Sequence, residues 1–215
     1  MKEIIRELIH NKAFCVAVLG YTAYTFALGG FAAWAPKFGI SIIGGDIANI
    51  NNLIGLVTVT AGIIGTLIGG KWGAIFQEND YMAKNNLKSV SGFNRFCMWT
   101  SILATPFAFA LPMIRNQWLF VADMFLIQTC MFAASAPINT ALLVAVRPQI
   151  AAISMAFSIF VIHALGDLIS PPIIGLISDL SNLPDAMYIL GVFVVISAVI
   201  WSIKTDSHSS TALQS

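Results

Sequence analysis

Hydrophobic and polar positions alternate along this chain segment by segment. Six mostly apolar stretches, Ala13–Pro36, Leu53–Phe76, Phe93–Ile114, Trp118–Val146, Gln149–Ser178 and Ala186–Ile203, are separated by short polar breaks. An apolar stretch of about 18 residues or more reads as a membrane-crossing helix. Apolar residues run around the whole circumference of each, unlike the one-faced stripe of a soluble helix. None shows the period-two alternation of a barrel strand. The longest polar break is "QENDYMAKNNLKSVSG" at 77–92; "RNQ" at 115–117 reads as a tight turn, and "KTDSHSSTALQS" at 204–215 as a disordered tail. The first residues, "MKEIIRELIHNK", put Ile4, Ile5, Leu8 and Ile9 on one helical face with charges opposite, which predicts a short helix on the membrane surface. Because acids and bases are mixed and no small-residue cleavage site follows, this stretch is not expected to be a signal peptide. The expected organisation is a surface helix or linker over 1–12, a six-helix bundle over 13–203 and a tail over 204–215.

Composition sharpens this picture. Of 215 residues, 58% are apolar and 10% charged, with mean hydropathy +0.83 and net charge +1. Soluble domains carry about 25% charged residues, so this chain cannot coat a water-facing surface, and without a basic stripe no nucleic-acid partner is expected. Cys15, Cys97 and Cys130 lie far apart in apolar runs and match neither a zinc spacing nor a disulfide framework. Nine of the eleven Lys and Arg residues fall on one side of the six-span topology; only Lys37 and Arg115 fall on the other. By the positive-inside rule both termini are expected to face the cytoplasm of a multi-pass protein of the cell (inner) membrane.

Polar residues at membrane depth carry the functional argument. A charged side chain there costs about 2.5–3.5 kcal/mol on insertion scales, so it tends to face a bundle interior or a wet cavity. In "HALGDLISPP" at 163–172 the fifth span places His163 roughly 20 Å along its length at about 1.5 Å per residue, with Asp167 one turn further. Extended as an α-helix, their face comprises Ala156, Phe160, His163, Asp167, Ser170, Ile174 and Ser178. Pro171 and Pro172 remove backbone donors and are expected to disturb the helix just beyond the pair. The fourth span has a matching stripe, Gln128, Phe132, Ser135 and Asn139; the first offers Tyr21 and Thr25. "GTLIGG" at 65–70 is a small-xxx-small surface for close helix packing. Asp123 reads as a headgroup-level residue, and the third and sixth spans as lipid-facing. The plainer reading of His163 and Asp167 is that they bond only each other and a neighbouring helix.

Four segments together resemble one family. "LGYTAYTFALGGFAAWAPKF" at 19–38, "GLVTVTAGIIGTLIGG" at 55–70, "SAPINTALLVAV" at 135–146 and "IFVIHALGDLISPPIIGLISD" at 159–179 are similar to the C-terminal half of spinster-like transporters of the major facilitator superfamily. The resemblance implies an all-α membrane protein of six transmembrane helices, one half of a major-facilitator fold built from 3+3 helix repeats. It also implies that the first, second, fourth and fifth helices line a central cavity, with Tyr21, Thr25, Gln128, Ser135, Asn139, His163 and Asp167 as candidate substrate-cavity residues. Alternating access would come from rocking one half against the other, with proton coupling in the full-length form. An imidazole is the side chain whose charge change falls nearest physiological pH, which would suit His163 to such a cavity. The chain departs from the family in having Gln128 for a glutamate and Ala151 for an arginine. In "GGKWGAIFQEND" the usual Asp–Arg signature is missing, which leaves Lys71 without its obvious partner.

Six helices make one wall of a cavity. The expectation is therefore a fragment or split-gene product that pairs with a six-helix N-terminal half, or a homodimer, sitting in membrane lipid and moving a small organic or amphipathic, lipid-like solute. No catalytic residues, cofactor or metal ligands are expected. The competing classes are a non-transporting membrane scaffold and an intramembrane enzyme that uses His163 and Asp167.

Overall fold

The computed structural model describes residues 2–83 and 90–205, apart from the side chains of 82 and 83. Its helices are α1 (Lys2–His10), α2 (Lys12–Ile43), α3 (Ile47–Ala83), α4 (Ser91–Ala110), α5 (Gln117–Val144), α6 (Ala151–Ile162), α7 (Ser170–Leu180) and α8 (Leu183–Trp201). Helices α6 and α7 are joined by a π-helical turn, His163–Asp167, into one crossing, so six elements are long and apolar enough to span a membrane. Asparagine sets three of the starts. Asn11 accepts from the Phe14 amide, Asn116 from those of Trp118 and Leu119, and Asn182 from that of Asp185. The α2–α3 connection turns on Gly44 and Gly45 at φ 68° and 97°, the left-handed region that a side chain resists.

All six sequence-derived spans are present, with shifted ends. Helix α2 runs seven residues past Pro36 to Ile43, since a single proline removes one donor without forcing a stop. The polar break at 77–92 is partly helical: α3 continues to Ala83 and α4 starts at Ser91, while 84–89 lie outside the described residues. The disordered tail expected at 204–215 also lies outside them from residue 206 onward.

Helix α2 is the hub. Two thirds of its apolar stretch (67%) is buried, against 22% for α3 and for the fifth span, which therefore present wide open faces. Phe26 stacks on Phe193 of α8 with ring centroids 3.6 Å apart, and Gly20 leaves room for Trp201. Helices α3 and α5 meet along Gly65, Gly69 and Gly73. A Cβ at Gly65 would fall 2.5 Å from the Thr129 carbonyl oxygen, one at Gly69 1.9 Å from that of Ala133, and one at Gly73 2.4 Å from the Pro137 ring. The glycine-rich motif thus brings two backbones together, the role small residues have between membrane helices. Pro137 has no N–H for the Ala133 carbonyl four residues back, and that carbonyl is the group that abuts Gly69.

Helix α1 docks rather than floats. Leu8 is fully buried, Glu7 pairs with Arg147 at 2.8 Å, and Asn11 Nδ2 donates to the Ala145 carbonyl at 2.7 Å. Of its apolar face, Ile9 stays exposed. Near the α3–α4 connection, the buried carboxylate of Asp80 accepts from Arg95 at 3.1 Å and from the Ser91 hydroxyl. Among the described residues Lys71 makes no ion pair. Replacing Arg95 with alanine should lower stability by about 1–3 kcal/mol, since it strips a buried carboxylate of a charged partner. Thermal unfolding of the detergent-extracted protein measures this. An unchanged transition would mean that the remaining contacts of Asp80 suffice.

Candidate functional site

The His163–Asp167 pair forms in the structure. His163 Nδ1 and Asp167 Oδ2 are 2.8 Å apart, with side chains 61% and 35% exposed on the open face of the fifth span. The backbone beneath them is wound as a π turn, in which the Leu168 amide donates to the His163 carbonyl at 3.0 Å. The prolines act upstream of where they were expected to. Pro171 and Pro172 cannot donate to the carbonyls of Asp167 and Leu168, and helix α7 simply starts over them. The Ser170 hydroxyl lies 3.4 Å from the Asp167 carbonyl, a partial replacement.

The π turn overturns the single face expected from α periodicity. Phe160 and His163 are exposed, but Ser170 and Ile174 are fully buried against Gly30 of α2. A π turn holds one residue more than the α-turn it replaces, so everything after it is rotated by about 100°. The open face instead continues through Leu168, Ile169 and Leu176.

Helix α2 supports the turn from behind. A Cβ at Gly29 would lie 2.1 Å from Asp167 Cβ, and one at Gly166 2.2 Å from Thr25 Oγ1. The indole of Trp34 donates to the Pro171 carbonyl at 3.0 Å. Asp167 Oδ1 is buried here and, among the described residues, has no hydrogen-bond partner.

Of the other candidates, Tyr21 lies near the pair: it is half-buried, in the neighbourhood of both Asp167 and Asn139. Asn139 donates to the Ser135 carbonyl at 2.9 Å, and the Ser135 hydroxyl donates to Phe132 at 2.7 Å, so Ser135 is engaged by its own helix. Thr25 is buried, its hydroxyl directed at backbone carbonyls.

Gln128 is set apart. It is 3% exposed, its Nε2 lacks a partner among the described residues, and it borders an apolar cavity of about 30 Å³ inside the bundle. It shares a helical face with Asn139, but the α2 segment Ala27–Phe31 covers that face at the level of Gln128. Asp123, expected at headgroup level, is 7% exposed, with Oδ2 unpartnered among the described residues. A residue count from Trp118 speaks only to depth and carries no sign that Asp123 is buried in the bundle.

Sequence reasoning missed two residues that matter here. Trp34 reaches the fifth span from α2, a contact with no periodic signal. Asp80 falls in the polar run at 77–92, which hides the helix that holds it. Among the described residues no three of His, Cys, Asp and Glu converge as metal ligands.

No family model matches the chain. It is 32% identical over 206 residues to "Probable sphingolipid transporter spinster homolog 1" of Arabidopsis thaliana, a match covering 95% of the chain and 39% of that relative. It is 30% identical over 203 residues to "Protein spinster homolog 3" of Homo sapiens, covering 86% of the chain and 37% of the relative. The chain thus spans about two fifths of the length of these relatives. Its fold matches the crystal structure of a bacterial homologue of the human lysosomal transporter Spinster, in an inward-facing and unoccupied conformation, with a TM-score of 0.75 at 15% identity. That match covers 94% of this chain and 49% of the bacterial one.

Proposed function

We propose that this chain, homologous to the spinster transporters and folded like half of the bacterial one, forms the C-terminal wall of a secondary transporter for an amphipathic, lipid-like solute. A six-helix N-terminal half, from the same gene or a separate chain, supplies the opposite wall in the cell membrane, with both termini of this chain cytoplasmic. The carrying observation is the bonded His163–Asp167 pair, since ionisable groups at membrane depth face a bundle interior or a hydrated cavity and this pair lies on the open face. Tyr21 and Asn139 extend the polar part of that passage, and exposed Phe160 and Leu168 supply an apolar part beside it. Polar groups next to apolar surface suit a solute with a head and a chain, the chemistry that the name of the Arabidopsis relative indicates for that protein. Proton-coupled rocking of the two halves alternates access to the site.

The architecture is tested in proteoliposomes with a fluorescent long-chain sphingoid base and an imposed proton gradient. This chain alone should give no gradient-dependent uptake. Restoring an N-terminal half should give uptake. Robust uptake by the chain alone would overturn the half-transporter reading.

A further inference from the structure

Thr25 is among the substrate-cavity candidates derived from the sequence, yet it is 8% exposed. Its hydroxyl lies 3.0 Å from the Thr22 carbonyl and 3.1 Å from the Ile162 carbonyl. Ile162 is the last residue before the π turn. In an uninterrupted α-helix its carbonyl would accept from the Gly166 amide. In this turn the ladder slips by one residue, as the Leu168-to-His163 bond shows. A hydroxyl from α2 therefore reaches the carbonyl at which the register changes. The contact is close on both sides, because Gly166 has no Cβ to push Thr25 away.

The alternative α register is near at hand. Pro171 and Pro172 leave the carbonyls of Asp167 and Leu168 without their usual amide donors, so two of the backbone bonds that would tie the turn to the downstream limb are missing. The flanking segments α6 and α7 are regular α-helices.

We infer that Thr25 is a positioning residue: its donation to the Ile162 carbonyl holds His163–Asp167 in the π register, aiming the pair outward while Ser170 and Ile174 stay packed on α2. Without that donor the segment winds as α-helix, and α7 turns by about 100° relative to α6. Positions 163, 167, 170 and 174 then share one face. That the aimed pair meets solute rests on the reading proposed above; the register itself does not.

Single cysteines in a background with Cys15, Cys97 and Cys130 replaced read the register directly. Ile174→Cys and Ser158→Cys probe the two limbs at fully buried positions, Leu168→Cys is the accessible reference, and Ala104→Cys is a buried control on α4. With Thr25 or Thr25→Ser, positions 174 and 158 should resist N-ethylmaleimide. With Thr25→Val, which keeps the shape and removes the donor, at least one should react as readily as position 168 while 104 stays protected. Protection at both 174 and 158 in Thr25→Val overturns the inference. So does equal labelling at 104, which marks general loosening. A register change together with undiminished transport by Asp167→Asn would instead sink the solute reading and leave the register assignment standing.

Discussion

Asparagine at position 167 is expected to reduce transport by the assembled protein on the order of ten- to hundredfold, the factor matching the loss of one charged hydrogen bond of about 1.5–3 kcal/mol. The substitution isolates charge from shape. Asparagine fills the same volume against Gly29, and its carbonyl oxygen can still accept from His163 Nδ1, now 2.8 Å from Asp167 Oδ2. Insertion should therefore be unaffected, or eased, because a charge no longer has to be placed at depth. What disappears is the negative charge beside the imidazole and near Tyr21. Uptake measured beside membrane abundance separates the outcomes. Lost uptake at normal abundance supports a solute-facing pair. Normal uptake would reduce His163 and Asp167 to packing.

The other large effect is structural and turns on two adjacent glycines. Gly69→Ala should sharply reduce the folded protein in membranes, whereas Gly70→Ala should leave it unchanged or slightly raised. A methyl at 69 would sit 1.9 Å from a backbone oxygen of α5, and a backbone cannot swing aside as a side-chain tip can. The helices must separate, which also loosens the contacts at Gly65 and Gly73. Overpacking of a close-packed core costs typically about 1–3 kcal/mol and occasionally more. A methyl at Gly70 meets nothing within 4 Å, and alanine there gains about 0.5–1 kcal/mol of helix preference. Size-exclusion profiles and melting curves of the two variants make the comparison. Equal behaviour would mean that the α3–α5 contact does not set the stability of the bundle.

The legible part of the molecule was whatever depends on one segment at a time. The six spans follow from stretch length and hydropathy, because a helix that satisfies its own backbone bonds is what apolar chain forms in lipid. The glycine motif at 65–70 was read as a packing surface and is one. His163 and Asp167 were placed within reach of each other by their spacing, and they bond. Failures began where one periodicity was carried through a break. The face drawn through Ser170 and Ile174 assumed regular α winding, and the π turn moves those residues to the buried side. Gln128 and Asn139 do share a helical stripe, but α2 buries Gln128 and leaves Asn139 partly open. Asp123 has the sequence position expected of an interfacial residue and the burial of a core residue.

By itself, then, the sequence determined that this chain crosses a membrane six times and which crossings carry polar groups, since length, hydropathy and charge are properties of each stretch alone. Only the tertiary structure decided which of those groups are available. Availability depends on where α2 lies against α5 and the fifth span, and on a one-residue slip in backbone bonding held by a hydroxyl from another helix.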